Sequence, residues 1–161
     1  RPGRDGRGRV RYRLAVVGKA ARGFHAQAAT HYQERLAALA KVETIEVKEG
    51  RGATPEETRA KEATALRAAA DGRLIALDER GRSWSSAALA KHVSKLELRG
   101  VSRLTLLIGG ADGLDPELRA QADERWRLSD LTLPHDLARV LLLEQLYRIE
   151  TIRTGHPYHR A

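Results

Sequence analysis

The stretch Leu104-Thr105-Leu106-Leu107-Ile108-Gly109-Gly110-Ala111-Asp112-Gly113-Leu114-Asp115-Pro116-Glu117 decides how this chain is read. Five residues of near-continuous apolar character, at strand length, predict a β-strand covered on both faces. The glycines that follow let the backbone turn tightly and approach a ligand closely. Asp115 is placed to cap a helix whose first position takes Pro116. The order is therefore strand, glycine loop, helix. The glycine spacing is not that of a dinucleotide fingerprint, and the loop has no lysine or Ser/Thr for a triphosphate. A plain turn into a helix and a ligand-binding loop both remain open on spacing alone.

Working outward, the same alternation recurs on both sides. Upstream, Arg73 to Asp78 is a second apolar run of strand length. A turn at Gly81 and a helix capped by Ser85 or Ser86 follow, with Leu89, Val93 and Leu96 on one face and a stop at Gly100. Val10, Tyr12, Leu14 and Val16 alternate before Gly18, predicting the first strand over 10–17. From Phe24 the period changes, and Ala28, Tyr32, Leu36 and Leu39 share one helical face. Val42 to Val47 reads as a strand and Gly50 to Ala53 as a loop. Thr54-Pro55-Glu56-Glu57 carries a capping-box signature for a helix to about Ala70. Downstream, a helix is expected from Asp115 toward Arg125, a fifth strand over Trp126 to Leu133, and a last helix from His135 to about Ile152. That helix is apolar on more than one face, through Leu137, Val140, Leu141, Leu142, Leu143, Leu146, Tyr147 and Ile149, so a second subunit is the natural cover. Strands alternating with helices predict an α/β fold with a mainly parallel, five-stranded sheet and helices on both faces. Ligands of such sheets bind beyond the carboxyl ends of the strands, here after Leu77, Ile108 and Leu133.

A chain of 161 residues reads as one domain, taken from residue 10 onward. The absence of cysteine excludes a disulfide framework, a thiolate zinc site and a cysteine nucleophile. No apolar run approaches membrane-spanning length and the amino-terminal residues lack a signal-peptide core, so the chain reads as soluble and cytosolic. The formal charge of +8 is unevenly spread: six arginines against Asp5 place +5 of it in residues 1–13. Residues 1–9, with interspersed glycines, are expected to be a disordered basic extension. The remainder is only mildly basic, a weak pointer to a polyanionic partner.

Two further segments carry chemistry. His135 opens the last helix with Arg139 one turn later, a pair able to hold an anion or a base. His156-Pro157-Tyr158-His159-Arg160 supplies a stacking ring, imidazoles and a guanidinium, the tools for holding a splayed base and its phosphate. Two histidines without a third ligand make a poor zinc site.

Together, Leu106-Leu107-Ile108-Gly109-Gly110, Gly113-Leu114, Leu131-Thr132-Leu133-Pro134-His135, Arg139-Val140, Glu144-Gln145-Leu146-Tyr147-Arg148 and His156-Pro157-Tyr158-His159 closely resemble the RlmH-type ribosomal RNA methyltransferases of the SPOUT superfamily. The resemblance runs from about Tyr12 to Arg160 and includes Leu14-Ala15-Val16-Val17-Gly18. It implies a homodimeric, S-adenosyl-L-methionine-dependent enzyme with a carboxyl-terminal trefoil knot, methylating N3 of a pseudouridine in large-subunit ribosomal RNA on assembled ribosomes. It calls for no metal and no membrane. Carried over position by position, it places the cofactor against Leu77, Gly109, Gly110, Leu128, Ser129, Asp130, Leu131, Thr132, Leu133 and Pro134. His135, Arg139, Tyr158, His159 and Arg160 become the residues for base positioning, proton removal and phosphate contact. Arg51, Arg59, Arg73, Arg80, Arg82 and Arg153 are candidate RNA contacts. The rival readings are a noncatalytic ribosome-binding factor that kept the fold, and a small nucleotide-binding regulator using the glycine loop.

Overall fold

A computed structural model describes residues 9–19 and 22–159, apart from the His159 side chain. Of the extension expected over residues 1–9, only Arg9 falls within the described residues, and Arg160 falls outside them. The element order is β1 (Arg11–Val17), α1 (Phe24–Ala37), β2 (Val42–Val47), α2 (Pro55–Ala69), β3 (Arg73–Ser83), α3 (Ser86–Leu98), β4 (Arg103–Ile108), α4 (Pro116–Gln121), β5 (Glu124–Arg127) and α5 (His135–Thr154). A short 3₁₀ turn, Pro157–His159, follows.

All strand pairings are parallel, in the order β2-β1-β4-β3-β5. The period-2 alternation of β1 divides the interior into two cores. Leu14 and Val16 face a core shared with Leu36 of α1, Val93 of α3 and Leu143 and Leu146 of α5. Ala15 and Val17 face the opposite core, with Ala63 and Leu66 of α2 and Leu118 of α4. Helices therefore cover both faces, as the alternation of elements predicts.

The caps act as read, with one shift. Thr54 Oγ1 accepts from the Glu57 N–H at 3.2 Å, but the Glu57 carboxylate reaches the N–H of Ala53, one residue before the cap. Ser85, rather than Ser86, caps α3, and Asp115 caps α4.

Three expectations need correction. The fifth strand is not Trp126 to Leu133 but Glu124–Arg127. Beyond it Ser129 Oγ accepts from the Leu131 N–H at 2.9 Å and Asp130 pairs with Arg127 at 3.1 Å, and these local bonds curl the chain out of the ladder. The helix expected toward Arg125 stops at Gln121, because Ala122 is extended and the next residues pair with β3. Gly81 makes a β-bulge, not a turn: the register shifts between Leu77 and Arg82, and β3 continues to Ser83. A Cβ on Gly81 would lie 2.7 Å from the Arg125 carbonyl carbon, so only glycine admits this approach.

Two candidate RNA-contacting arginines are paired with carboxylates of their own chain. Arg73 Nε donates to Glu124 at 2.6 Å. Arg153 joins Glu97 at 2.7 Å, donates to Ser94 and engages Glu150, which also accepts from the Tyr12 hydroxyl at 2.7 Å. This network ties the start of β1 and the ends of α3 and α5 together. Along α5, Leu137, Val140 and Leu141 are only half-buried within the chain.

Candidate active site

β4, β3 and β5 lie side by side, and the bulged stretch of β3 together with the chain at the ends of β4 and β5 encloses a cavity of about 660 Å³. Leu77 to Arg80 belongs to the bulge within β3 and Ile108 to Leu114 leaves β4; Trp126 to Ser129 and Leu131 to His135 come from β5 and the chain after it. The size suits a nucleoside-sized ligand.

The glycine loop forms one wall. Gly109 has no room for a side chain, since a Cβ would lie 2.7 Å from the Gly113 carbonyl carbon. Gly113 turns back with φ +80° and its N–H donates to the Gly110 carbonyl at 3.0 Å. Behind Gly110 stands Glu62, 5% exposed, whose Oε2 accepts from the Gly50 N–H at 3.1 Å while the buried Oε1 has no partner among the described residues. Burial pushes the Glu62 carboxyl up; the Gly50 N–H opposes this, and Asp112 and Glu49 add to it.

The opposite wall is apolar. Leu77, Leu128, Leu131 and Leu133 line it, and Leu131 is 77% exposed, a large apolar side chain at a cavity mouth. Polar groups stand between the walls, among them Arg59 and Arg80, expected as RNA contacts, and Asp78, Arg119 and Arg127, for which the sequence suggests no role. Asp78 pairs with Arg119 at 3.5 Å, and Arg59 Nη1 donates to the Asp112 carbonyl at 3.3 Å. Arg80 and Arg127 complete the rim, and the Nε atoms of Arg59 and Arg127 are buried without a partner among the described residues. The signal for Asp78 is an acid closing the apolar run that begins at Arg73, whereas Arg119 and Arg127 lie in α4 and β5, whose ends differ from those the sequence pattern predicts.

Of the residues read as cofactor-binding, Leu77, Gly109, Gly110, Leu128, Ser129, Leu131, Thr132, Leu133 and Pro134 line the cavity. Asp130 does not, being turned to Arg127. His135 lines it too, its Nε2 lying 3.3 Å from Asp136 Oδ1. Arg139 does not join His135 there: it is 6% exposed and pairs with Glu46 of β2 at 2.9 Å. The tail folds back along α5, where the Tyr158 hydroxyl donates to Glu144 at 3.0 Å and its ring lies 4.6 Å from Tyr147. Glu144 is nine helical residues beyond His135, about 14 Å at 1.5 Å per residue, so one chain does not bring Tyr158 to its own cavity. Among the described residues no cluster of three or more His, Asp or Glu could hold a metal ion, and no helix is long and apolar enough to cross a membrane.

A family described as predicted SPOUT methyltransferase matches residues 10–159. The chain belongs to this family. Among its SPOUT relatives, the ribosomal RNA large subunit methyltransferase H of Polynucleobacter asymbioticus is 46% identical, over 94% of this chain and 99% of that one. The protein of the same name from Alkalilimnicola ehrlichii is 42% identical, over 94% and 100%. In fold the chain is similar to a probable methyltransferase from Bordetella pertussis Tohama I, with TM-score 0.53 and 13% identity over 88% of this chain and 96% of the other. The cavity thus belongs to a SPOUT methyltransferase.

Proposed function

We propose that this chain is a cytoplasmic, homodimeric, S-adenosylmethionine-dependent methyltransferase that modifies N3 of a pseudouridine in large-subunit ribosomal RNA within the ribosome. The observation that carries the reading is the convergence of the three strand-end segments on one cavity, in a chain whose full-length relatives are ribosomal RNA large subunit methyltransferases.

The residues present fit the cofactor. Leu77, Leu128, Leu131 and Leu133 offer apolar walls for an adenine, the glycine loop leaves backbone amides accessible, and the exposed Leu131 gains cover from a bound ring. S-adenosylmethionine supplies an electrophilic methyl group on a sulfonium. The protein's own tasks are to hold N3 in line and to remove its proton, an imide proton too weakly acidic to leave fully at neutral pH. His135 stands at the cavity for that step. Its Nε2 lies 3.3 Å from Asp136 Oδ1, and a ring nitrogen of the neutral imidazole offers the lone pair that takes the proton. Arg139, held by Glu46, acts as a positioning residue at the start of α5. Tyr158, His159 and Arg160 act on the substrate bound at the other subunit, which accounts for a tail that lies away from its own cavity. Half-buried Leu137, Val140 and Leu141 supply apolar surface for the subunit contact. The knot implied by the family resemblance is part of the proposal: β5 pairs with β3 rather than with β4, which sets residues 128–134 beside the glycine loop.

Incubation with pseudouridylated ribosomes and labelled S-adenosylmethionine is expected to label large-subunit RNA. A folded, dimeric protein that transfers no methyl group to it would sink the reading. Removal of residues 156–161 is expected to abolish transfer while leaving cofactor affinity within about twofold. Mixing this truncated chain with an H135A chain restores activity if tail and cavity work across the subunit contact.

A further inference from the structure

The start of α1 carries an aromatic pair that nothing in the described fold uses. Phe24 is 74% exposed, and its ring lies 4.1 Å from that of His25 with an interplanar angle of 38°. A lone exposed hydrophobic residue is ordinary. This pair differs in its setting. α1 and α5 run down the same face of the sheet, with Arg35 over the Tyr147 ring at 5.5 Å, and both begin at the carboxyl ends of the strands. Phe24 and His25 therefore stand at the end of the molecule where His135 enters the cavity.

Three exposed cations accompany the pair at this end of the sheet. Lys19 and Arg22 precede it, and Lys48 follows β2, whose Val47 carbonyl accepts from the Gly18 N–H at 2.8 Å. These three cations are exposed and have no ion-pair partner among the described residues, whereas Arg13, Arg73, Arg103, Arg119, Arg139 and Arg153 are each held by a carboxylate. The first turn of α1 contains no acidic residue; of the acids at this end, Glu46 is paired with Arg139, Asp136 lies against His135 and Glu49 stands beside Gly18. Flat rings flanked by free cations match an unpaired nucleotide, whose base stacks while its phosphates take the charge.

We propose that Phe24 and His25 form a stacking platform for an unpaired base of the RNA substrate, with Lys19, Arg22 and Lys48 receiving the flanking phosphates. The proposal rests on the RNA-methylating function above and adds a substrate-binding surface outside the cofactor cavity. Loss of an aromatic–base stack weakens RNA binding by roughly five- to 150-fold, the equivalent of about 1–3 kcal/mol.

The test compares wild type, F24A and F24Y. KM for ribosomes and kcat are measured with labelled S-adenosylmethionine, cofactor affinity by calorimetry, mass by sedimentation, and affinity for a pseudouridine-containing stem–loop RNA by fluorescence anisotropy. F24A is expected to raise KM for ribosomes and Kd for the stem–loop about tenfold, with kcat, cofactor affinity and mass unchanged, and F24Y to restore both. Unchanged KM and Kd in F24A overturn the platform. So does an F24A that sediments as a monomer, since Phe24 then belongs to the subunit contact. Wild type that binds the stem–loop through Phe24 but methylates no ribosomal RNA leaves the platform standing and overturns the enzymatic reading instead.

Discussion

Gly109 and Gly113 sit in one loop yet are required for different reasons, which makes them a matched test. At Gly109 the obstacle is space, because a Cβ meets the Gly113 backbone at 2.7 Å; at Gly113 it is conformation, because φ is +80° with nothing within 4 Å. Gly109→Ala is therefore expected to cost about 1–3 kcal/mol by overpacking and to displace the cavity wall. Gly113→Ala is expected to cost about 1–2 kcal/mol through its left-handed backbone alone. Urea unfolding gives the stabilities, and calorimetric titration with S-adenosylmethionine is expected to fail for Gly109→Ala while remaining within a few-fold for Gly113→Ala. Glu62 invites a pH experiment. Its carboxyl binds a proton more tightly in the folded chain, chiefly through burial, so ionising it lowers stability as pH rises from the ordinary carboxylate value to the folded one. E62Q keeps an acceptor for the Gly50 N–H without the charge. Its melting temperature is expected to exceed that of wild type at neutral pH, with the advantage shrinking as the pH is lowered toward about 4. An advantage that holds constant with pH would count against a buried charge at this position.

Among the elements, α5 does the most to join the halves of the molecule. Its amino-terminal end delivers His135 to the cavity and Arg139 to Glu46 of β2; its other end is fastened by Glu150, Arg153, Glu97 and the Tyr12 hydroxyl. Glu150 is buried, so Glu150→Ala leaves the Arg153 charge and the Tyr12 hydroxyl short of a partner. The expected loss is about 3–5 kcal/mol, measured by urea unfolding. The cap of α2 is a smaller matter: Thr54→Ala removes the acceptor for one N–H and is expected to cost about 1 kcal/mol. A larger effect of Thr54→Ala than of Glu150→Ala would reverse this ranking of local against tertiary bonds. β5 shows the limit of local reading at this scale. Trp126 to Leu133 is largely apolar at strand length, but only its Trp126 and Arg127 find a place on β3, and Ser129 and Asp130 satisfy the next backbone and side-chain groups locally.

At the scale of the whole molecule, two carboxylates among the described residues, Glu97 and Glu124, staple separate elements. Burial alone raises both. The Val10 N–H and Arg153 outweigh it at Glu97, and Arg73, Trp126 and the His92 charge outweigh it at Glu124, so each is held below the ordinary carboxylate range. A depressed folded value means that their contribution is complete above the unfolded value near about pH 4.3 and disappears as pH falls through the folded one. The urea midpoint is expected to fall below about pH 4 for this reason, and E124Q is expected to shrink that acid-side fall while lowering the neutral-pH midpoint. An unchanged acid limb in E124Q would remove Glu124 from this account.

The hydrophobic periods of 10–17, 42–47, 73–78 and 104–108, the caps at Thr54, Ser85 and Asp115, and the glycines after Ile108 are local properties, so the elements they mark and the α/β class are legible without any knowledge of tertiary contacts. Family-specific blocks such as Leu131-Thr132-Leu133-Pro134-His135 carried the expected chemistry further than periodicity could, because a motif preserves information about contacts it does not itself contain. Strand order, the bulge at Gly81, and the partners of Arg73, Arg139 and Arg153 depended on residues far apart in the chain, as Tyr12 and Glu150 are. Only the tertiary structure could decide these, since a charge near a helix end reads alike in sequence whether it meets solvent, RNA or a buried carboxylate. The same holds for the tail: its residues were legible, and its place along α5, away from the cavity, came from the packing of Tyr158 on Tyr147 and Glu144.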